Sequence, residues 1–437
     1  MCKQSVKPVY IGLMFLIMSL TSVLLTPSVT VAEWGDSVYY VATTGDDSNA
    51  GTIEAPWRTI QKAADTLEPG EMVFVRGGLY KESVKIQKSG SKDGHILYKA
   101  FPGEQPVLDG TGMEWDSKKS ALLFLSNVSY IIIDGFEVRN LETDSSDTYP
   151  AGIRIREGGS HIQLLNNNVH HIANKSQRGN AHGIHIYGNS TTELSDILIK
   201  GNEVHHLTLG SSEALTVSGN VTGFLIEDNR VHDNNNIGID IAGFYNACKE
   251  DNCTDQARNG KIIRNKVFNN SSGKNPSYKG DRSAAGIYAD GATDIIIENN
   301  IVHDNDYGIS LASEKYGKQT SYIKVWNNLI YENNSAGIVM GGSSSSNGGT
   351  ANNIIIHNVL KHNNQLSQGY GEITLQWNNF DNQIIYNDMY SDKKKDSLIK
   401  QGNTGGAGNS INNNQTIYAV NFVFFKDFAT KLMKHYF

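Results

Sequence analysis

Two hydrophobic patterns run along the chain. One is a small residue or glutamate followed by aliphatic, variable, aliphatic or alanine: Gly152-Ile-Arg-Ile155, Gly183-Ile-His-Ile186, Ala214-Leu-Thr-Val217, Gly238-Ile-Asp-Ile241, Gly286-Ile-Tyr-Ala289, Gly308-Ile-Ser-Leu311, Gly337-Ile-Val-Met340 and Glu372-Ile-Thr-Leu375. Strict alternation turns the aliphatic side chains inward and the middle residue outward on a short strand. The other is Asn-x-aliphatic, at Asn167, Asn202, Asn229, Asn265, Asn300, Asn328, Asn358 and Asn387, spaced 27 to 36 residues apart. Strand-like runs such as Asp196-Ile-Leu-Ile199, Phe224-Leu-Ile226, Ile295-Ile-Ile297 and Ile354-Ile-Ile356 precede most of these asparagines. Self-similarity at this period, with two or three strands per repeat and no helical spacing, predicts an all-β fold, a parallel β-solenoid. Asparagines stacked about 4.8 Å apart on successive coils would hydrogen-bond along the stack and satisfy buried turn backbone. They read as structural.

A solenoid needs its first coil covered, because an open edge recruits other chains. Ile60, Ala63, Ala64 and Leu67 form one apolar stripe and predict an amphipathic capping helix over 59–67. Lys3 and Lys7, the apolar run Tyr10 to Leu25 and the small residues up to Ala32 have the layout of a secretory signal peptide. The expected organisation is a leader over 1–32, a solenoid over 33–413 and an irregular tail or cap over 414–437.

The formal charge of −7, from 38 Lys+Arg against 45 Asp+Glu, gives no positive field to hold nucleic acid. No later stretch is apolar enough for stable membrane insertion, so a secreted monomer is expected. Cys2 leaves with the leader, and Cys248 and Cys253 remain as an expected disulfide pinning a polar loop.

The opening segment, Tyr39-Tyr-Val-Ala-Thr-Thr-Gly-Asp-Asp-Ser-Asn-Ala-Gly-Thr52 with Ala55-Pro-Trp-Arg-Thr-Ile-Gln-Lys-Ala63 and Pro69-Gly-Glu-Met-Val-Phe-Val-Arg-Gly-Gly-Leu-Tyr80, resembles that of secreted right-handed parallel β-helix proteins of the pectate-lyase-like superfamily. The resemblance implies that fold and an action on carbohydrate, and says little about the reaction. The family 9 pectate lyase pattern has a doubled aspartate in a calcium cluster and a lysine base. Here Asn236-Ile-Gly-Ile-Asp240 and Ala284-Ala-Gly-Ile-Tyr-Ala-Asp290 lack the doubled aspartate, and Gly337-Ile-Val-Met-Gly341 has no lysine.

Aligning the glycine-aliphatic strands stacks their outward residues into a column: Arg154, His185, Thr216, Asp240, Tyr288, Ser310, Val339 and Thr374. The next outward column holds Arg156, Tyr187, Ser218, Ala242, Asp290, Ala312, Gly341 and Gln376, while His182 falls beside Glu213. Two insertions, around Cys248–Cys253 and over Ser271–Arg282, rise between the coils of Asp240 and Asp290, where loops would wall a cleft. A cleft of carboxylates, cations and tyrosines suits a polysaccharide. Its expected catalytic residues are Asp240, Tyr288, Arg282 and Lys315, with His185, Tyr187, Glu213 and Arg258 binding substrate.

The leading reading is a lyase or C5-epimerase acting on a uronate-containing glycan. It needs a cation against the uronate carboxylate and a base for the adjacent proton. Ca2+ on Asp281, Asp290 and Glu314, also with Asp240, would supply the first, or Arg258 or Arg282 would clamp the carboxylate. Lys315, Tyr288 or His185 would be the base, the first two with depressed pKa values. The alternatives are a glycoside hydrolase pairing Asp240 with Asp290 or Glu314, favoured by an acidic cleft, and a solenoid that only binds glycan or builds a surface.

Overall fold

The computed structural model describes residues 38–113, 121–391, 398–402 and 406–418. The expected leader and the tail beyond 418 lie outside the described residues. Strands line up in three parallel sheets of 16, 11 and 12 strands. A strand pairs with its counterpart one coil earlier and one coil later: His182–Gly188 lies between Ala151–Arg156 and Leu215–Gly219. The chain therefore winds as a β-helix, and the sheets are its walls. Inward aliphatics stack in files, such as Ile184, Leu215, Ile239, Ile287, Ile309 and Ile338, all fully buried.

The corner between the first and third walls is built from two residues. The first takes left-handed backbone, as at Asp228, Arg264, Asn299 and Asn327, with φ of 55° in each. The second is an asparagine whose side chain turns into the core. Asn167, Asn202, Asn229, Asn265, Asn300, Asn328, Asn358, Asn387 and Asn414 form one continuous ladder, each Nδ2 donating to the next Oδ1 at 2.9–3.0 Å. Asn265 shows that the accounting is complete. Its Nδ2 donates to Ile226 O and Asn300 Oδ1, and its Oδ1 accepts both the backbone N–H and the Nδ2 of Asn229. A second ladder, which the sequence reading missed, runs through Asn234, Asn270, Asn305, Asn333 and Asn363. It ends on the buried Glu372 carboxyl.

The recurring glycine of the second wall has a steric cause. A Cβ on Gly337 would lie 2.5 Å from Glu372 O of the next coil. The expected cap forms as the helix Ile60–Thr66, with Thr59 Oγ1 accepting from Lys62 N and the predicted stripe buried. Glu82 accepts from the backbone N–H groups of Ile60 and Gln61, satisfying its first turn. At the other end Gln415–Tyr418 pairs with Asp388–Ser391 and Asn414 joins the ladder, so regular coils continue past 413.

Asn265→Ala should strip partners from Asn229 and Ile226 inside the stack, costing at least about 3 kcal/mol. Chemical denaturation measures this against Asn252→Ala, a change at an exposed loop position. Equal losses from the two would deny the ladder its role.

Candidate functional site

Side chains on the outer face of the second wall take the order expected from the repeat. Arg154, His185, Thr216, Asp240, Tyr288 and Ser310 pair in direct succession, and Asp290 sits on the adjoining column beside Ala312. What differs is exposure. These residues point away from the coil interior, yet Arg154, Thr216, Asp240 and Asp290 are all buried. The two insertions bring Tyr245 onto Asp290 and Tyr278 onto Asn236 at this face.

Each insertion is tied by an internal anchor. Asp306, fully buried, accepts from Ser271 Oγ, Ser272 N and Ala284 N, closing the base of the second loop. Asn275 Nδ2 donates to Gly210 O and Asn235 O, and Ser277 Oγ to Gln177 O, bending that loop back over earlier coils. Tyr278 is thereby held with its hydroxyl 3.1 Å from Asn236 Nδ2. In the first loop Asp255 accepts from the backbone of Asn246 and Ala247, and Cys248 is joined to Cys253. This fixes Tyr245, whose hydroxyl hydrogen-bonds Asp290 Oδ2 and lies 2.9 Å from Glu314 Oε2. Sequence reasoning missed Tyr245, because its partners are 45 and 69 residues away and on other coils.

Four carboxyl groups, Glu213, Asp240, Asp290 and Glu314, influence one another here. Burial pushes Glu213 up to about 8; the Thr216 hydroxyl, donating to it at 3.1 Å, opposes the shift, and Asp290 and Glu314 add to it. Burial, then repulsion from Glu314, pushes Asp290 up to about 7. Asp240 is raised well above the usual range by burial and by Glu213, Asp290 and Glu314, and its Oδ1 has no hydrogen-bond partner. Burial thus favours the protonated form of Glu213 and Asp240 at neutral pH and leaves Asp290 partly protonated there. The Tyr245 contact says the same: one hydroxyl carries one hydrogen, so bonds to two carboxyls require a proton on one of them.

Several expected roles do not survive this geometry. Tyr288 is not prepared as a base, since burial and then Asp290, Glu314 and Asp240 raise its pKa well above normal. Arg282 is spent on its own loop, with Nη1 3.1 Å from Ser271 Oγ and 3.6 Å from Asp306. Arg258 belongs to the first wall and is held by Glu193 at 2.8 Å and by Asn220. Lys315 lies with Nζ 4.0 Å from the Tyr245 ring centre. Asp281 stands exposed on the second loop. His185 stacks on His182 and meets Tyr187 at a tilt, Nε2 being 3.3 Å from Ser218 Oγ, and burial drives its pKa well below normal.

The residues do not fit a calcium site. Among the described residues no three Asp, Glu, His or Cys side chains gather to hold a metal ion. Both oxygens of Asp290 are taken, by Tyr245 and by Glu314 N.

Stacked parallel coils with an enclosed row of acids on one wall define a β-helix protein with loop-covered chemistry on its side. The chain belongs to the right-handed β-helix family: residues 151–424 match its right handed beta helix region, and residues 39–196 match the Pel9A-like, right handed beta helix region. It is 36% identical over 385 residues to "Uncharacterized protein YwoF" of Bacillus subtilis (strain 168), spanning 87% of this chain and 81% of that one. Among solved structures it resembles the GH136 lacto-N-biosidase from Eubacterium ramulus, with TM-score 0.63, 15% identity, 87% of this chain and 68% of that one. It also resembles the mannuronan C-5 epimerase AlgE4 A-module of Azotobacter vinelandii, with TM-score 0.53, 14% identity, 82% of this chain and 88% of that one. At these identities the likeness is one of fold.

Because Asp290 and Glu213 hold protons more tightly folded than unfolded, their contribution is most favourable below the unfolded carboxyl range and is lost as pH rises through about 7 and about 8. Denaturant titrations should show stability falling over that interval, with Glu213→Gln and Asp290→Asn each flattening the fall. Unchanged slopes would mean these acids titrate normally.

Proposed function

We propose that the chain is an exported carbohydrate-active enzyme that hydrolyses a glycosidic bond in this cleft, with Asp290 as the proton donor and Glu314 as the second carboxylate. The observation that carries the reading is the Tyr245 hydroxyl bonded to both acids. Two carboxyls whose oxygens meet one hydroxyl lie within about 5.5 Å of each other, which is close enough for one to protonate the leaving oxygen while the other attacks the anomeric carbon and too close for the inverting arrangement. Glu314 favours the proton on Asp290, as a general acid requires.

The steps balance with water alone. Asp290 gives its proton to the glycosidic oxygen as Glu314 bonds to the anomeric carbon; water then breaks that ester, losing a proton to Asp290. Asp240, with a buried oxygen lacking a partner, and Glu213 would bind sugar hydroxyls. Export is supported by the leader pattern at Lys3 to Ala32 and by the Cys248–Cys253 bond in a loop.

Elimination from a uronate is the weaker reading because the cations it needs are occupied elsewhere. The two arginines expected to clamp a uronate carboxylate, Arg258 and Arg282, are engaged by Glu193 and Asp306. The solved neighbours include both a hydrolase and an epimerase, so the fold itself does not choose.

A screen of neutral and uronate polysaccharides should show new reducing ends without an ultraviolet-absorbing unsaturated sugar. Asp290→Asn and Glu314→Gln should each lower kcat by about 10²–10⁴-fold, and Tyr245→Phe should shift the alkaline limb of the pH profile. Unsaturated product would replace hydrolysis by elimination, and full activity in either acid variant would move the reaction elsewhere.

A further inference from the structure

The third wall carries a separate cluster with no part in the cleft. On its outer face His170, His205 and His232 stack ring on ring, with centroids 4.9 and 5.1 Å apart, and Phe268, His303 and Tyr331 continue the file. Because the ring faces are consumed by one another, the file presents ring edges to its surroundings. Beside each histidine of the file, the next residue occupies the left-handed corner. At His232 and His303 that neighbour is an aspartate, and Asp233 and Asp304 each accept from the histidine Nδ1 at 2.6 Å. At His170 and His205 it is a second histidine. His171 and His206 have φ of 53° and 54°, are exposed, and stack on each other with centroids 5.5 Å apart.

The tautomers follow from the partners. His170 Nε2 faces Glu137 Oε1 at 3.2 Å, an oxygen that also accepts from Arg139. His205 Nε2 faces Asn168 Oδ1 at 3.0 Å. Both Nε2 atoms therefore carry the hydrogen, leaving Nδ1 of each ring with a lone pair. Those lone pairs point at His171 Nδ1 and His206 Nδ1, each across 2.6 Å. A histidine whose Nε2–H is held by an acidic or amide oxygen while Nδ1 is free to donate electrons is oriented as metal-ligating histidines are.

We propose that the pairs His170–His171 and His205–His206, on neighbouring coils, bind a borderline divalent cation, Zn2+ or Cu2+, through their Nδ1 atoms. As the rings now lie, each pair is closed by its own N–H···N bond, in keeping with the lack of three converged ligands among the described residues. Binding replaces that bond. The hydrogen on Nδ1 of His171 or His206 passes to Nε2 of the same ring through water, so no net proton is lost. Two nitrogens on a tetrahedral zinc are about 3.4 Å apart, so each pair must open by less than about 1 Å and the two pairs, with ring centres 4.9 and 5.5 Å apart, must lean together by about 1.5–2 Å. The exposed rings of His171 and His206 can turn that far. Imidazole donors select Zn2+ and Cu2+ over hard cations such as Ca2+. The site is independent of the proposed hydrolysis, since its residues lie on a different sheet from the acids.

The test is calorimetric titration of the tag-free, chelator-treated full chain with ZnCl2, CuSO4 and CaCl2 in turn. Variants are His171→Asn/His206→Asn, which keeps a residue tolerant of left-handed backbone at both corners, and His357→Asn, a lone corner histidine stacked on Tyr386. Wild type should bind Zn2+ and Cu2+ but not Ca2+, with nitrogen hyperfine structure in the Cu2+ resonance spectrum. The double variant should bind at least about tenfold more weakly with an unchanged circular dichroism spectrum, while His357→Asn binds as wild type. Equal affinity in wild type and double variant, or an equal loss in His357→Asn, would overturn the site.

Discussion

A β-helix has to turn its chain sharply several times per coil without leaving backbone groups stranded against an apolar interior, and at the tightest turn, from the first wall to the third, the asparagine corner meets that demand. A left-handed residue makes the bend, and the asparagine after it bonds upward, downward and to the backbone at once. The geometry repeats only if the same atoms recur at the same height in every coil. The ladder thus fixes register as well as satisfying polar groups, and the two are inseparable. Once register is fixed, residues some thirty positions apart become neighbours on a wall, and any chemistry on the outer face inherits that spacing.

The cleft uses this rigidity to hold an arrangement that would not persist on a softer frame. Glu213, Asp240 and Asp290 are buried together, and each resists ionisation first because it is buried and then because its neighbours are acids. Such a cluster opposes folding at neutral pH, and the cost falls on a few coils. In a solenoid each coil contacts only its neighbours, so well-packed coils on both sides can absorb a local penalty. The loops add what the wall lacks. Tyr245 and Tyr278 close over the acids, and the anchors Asp255, Asp306 and Asn275 are themselves satisfied by backbone groups.

The sequence revealed the wall much better than the loops. Period-two alternation and the glycine-aliphatic step gave the pairing of His185 with Thr216, Thr216 with Asp240 and Asp240 with Tyr288, because side-chain order along a regular stack follows from alignment alone. Exposure was misjudged for the same reason: alignment says that Asp240 points away from the core and nothing about what covers it. Loop residues carry no period. Arg282 turns to Asp306 and Arg258 to Glu193 through contacts set by loop closure, and neither partner is near in sequence. The second asparagine ladder was legible in principle, since Asn234, Asn270, Asn305, Asn333 and Asn363 follow the first at a constant offset of five residues.

The reaction is decided by where protons reside, not by the fold, and that argument rests on Tyr245. A lyase reading needs positive charge facing the substrate and a base with a lowered pKa. The cleft presents acids that keep protons, and tyrosines whose pKa is raised by burial and by those acids. Replacing a uronate by a neutral sugar removes the conflict: hydroxyls can meet the Asp240 oxygen that has no partner, and the leaving oxygen can receive the proton that Asp290 holds. Tyr245 then has a reason to sit between Asp290 and Glu314. It stands between the two acids, and its single hydrogen requires a proton on at least one of them, which is the proton that an acid catalyst needs.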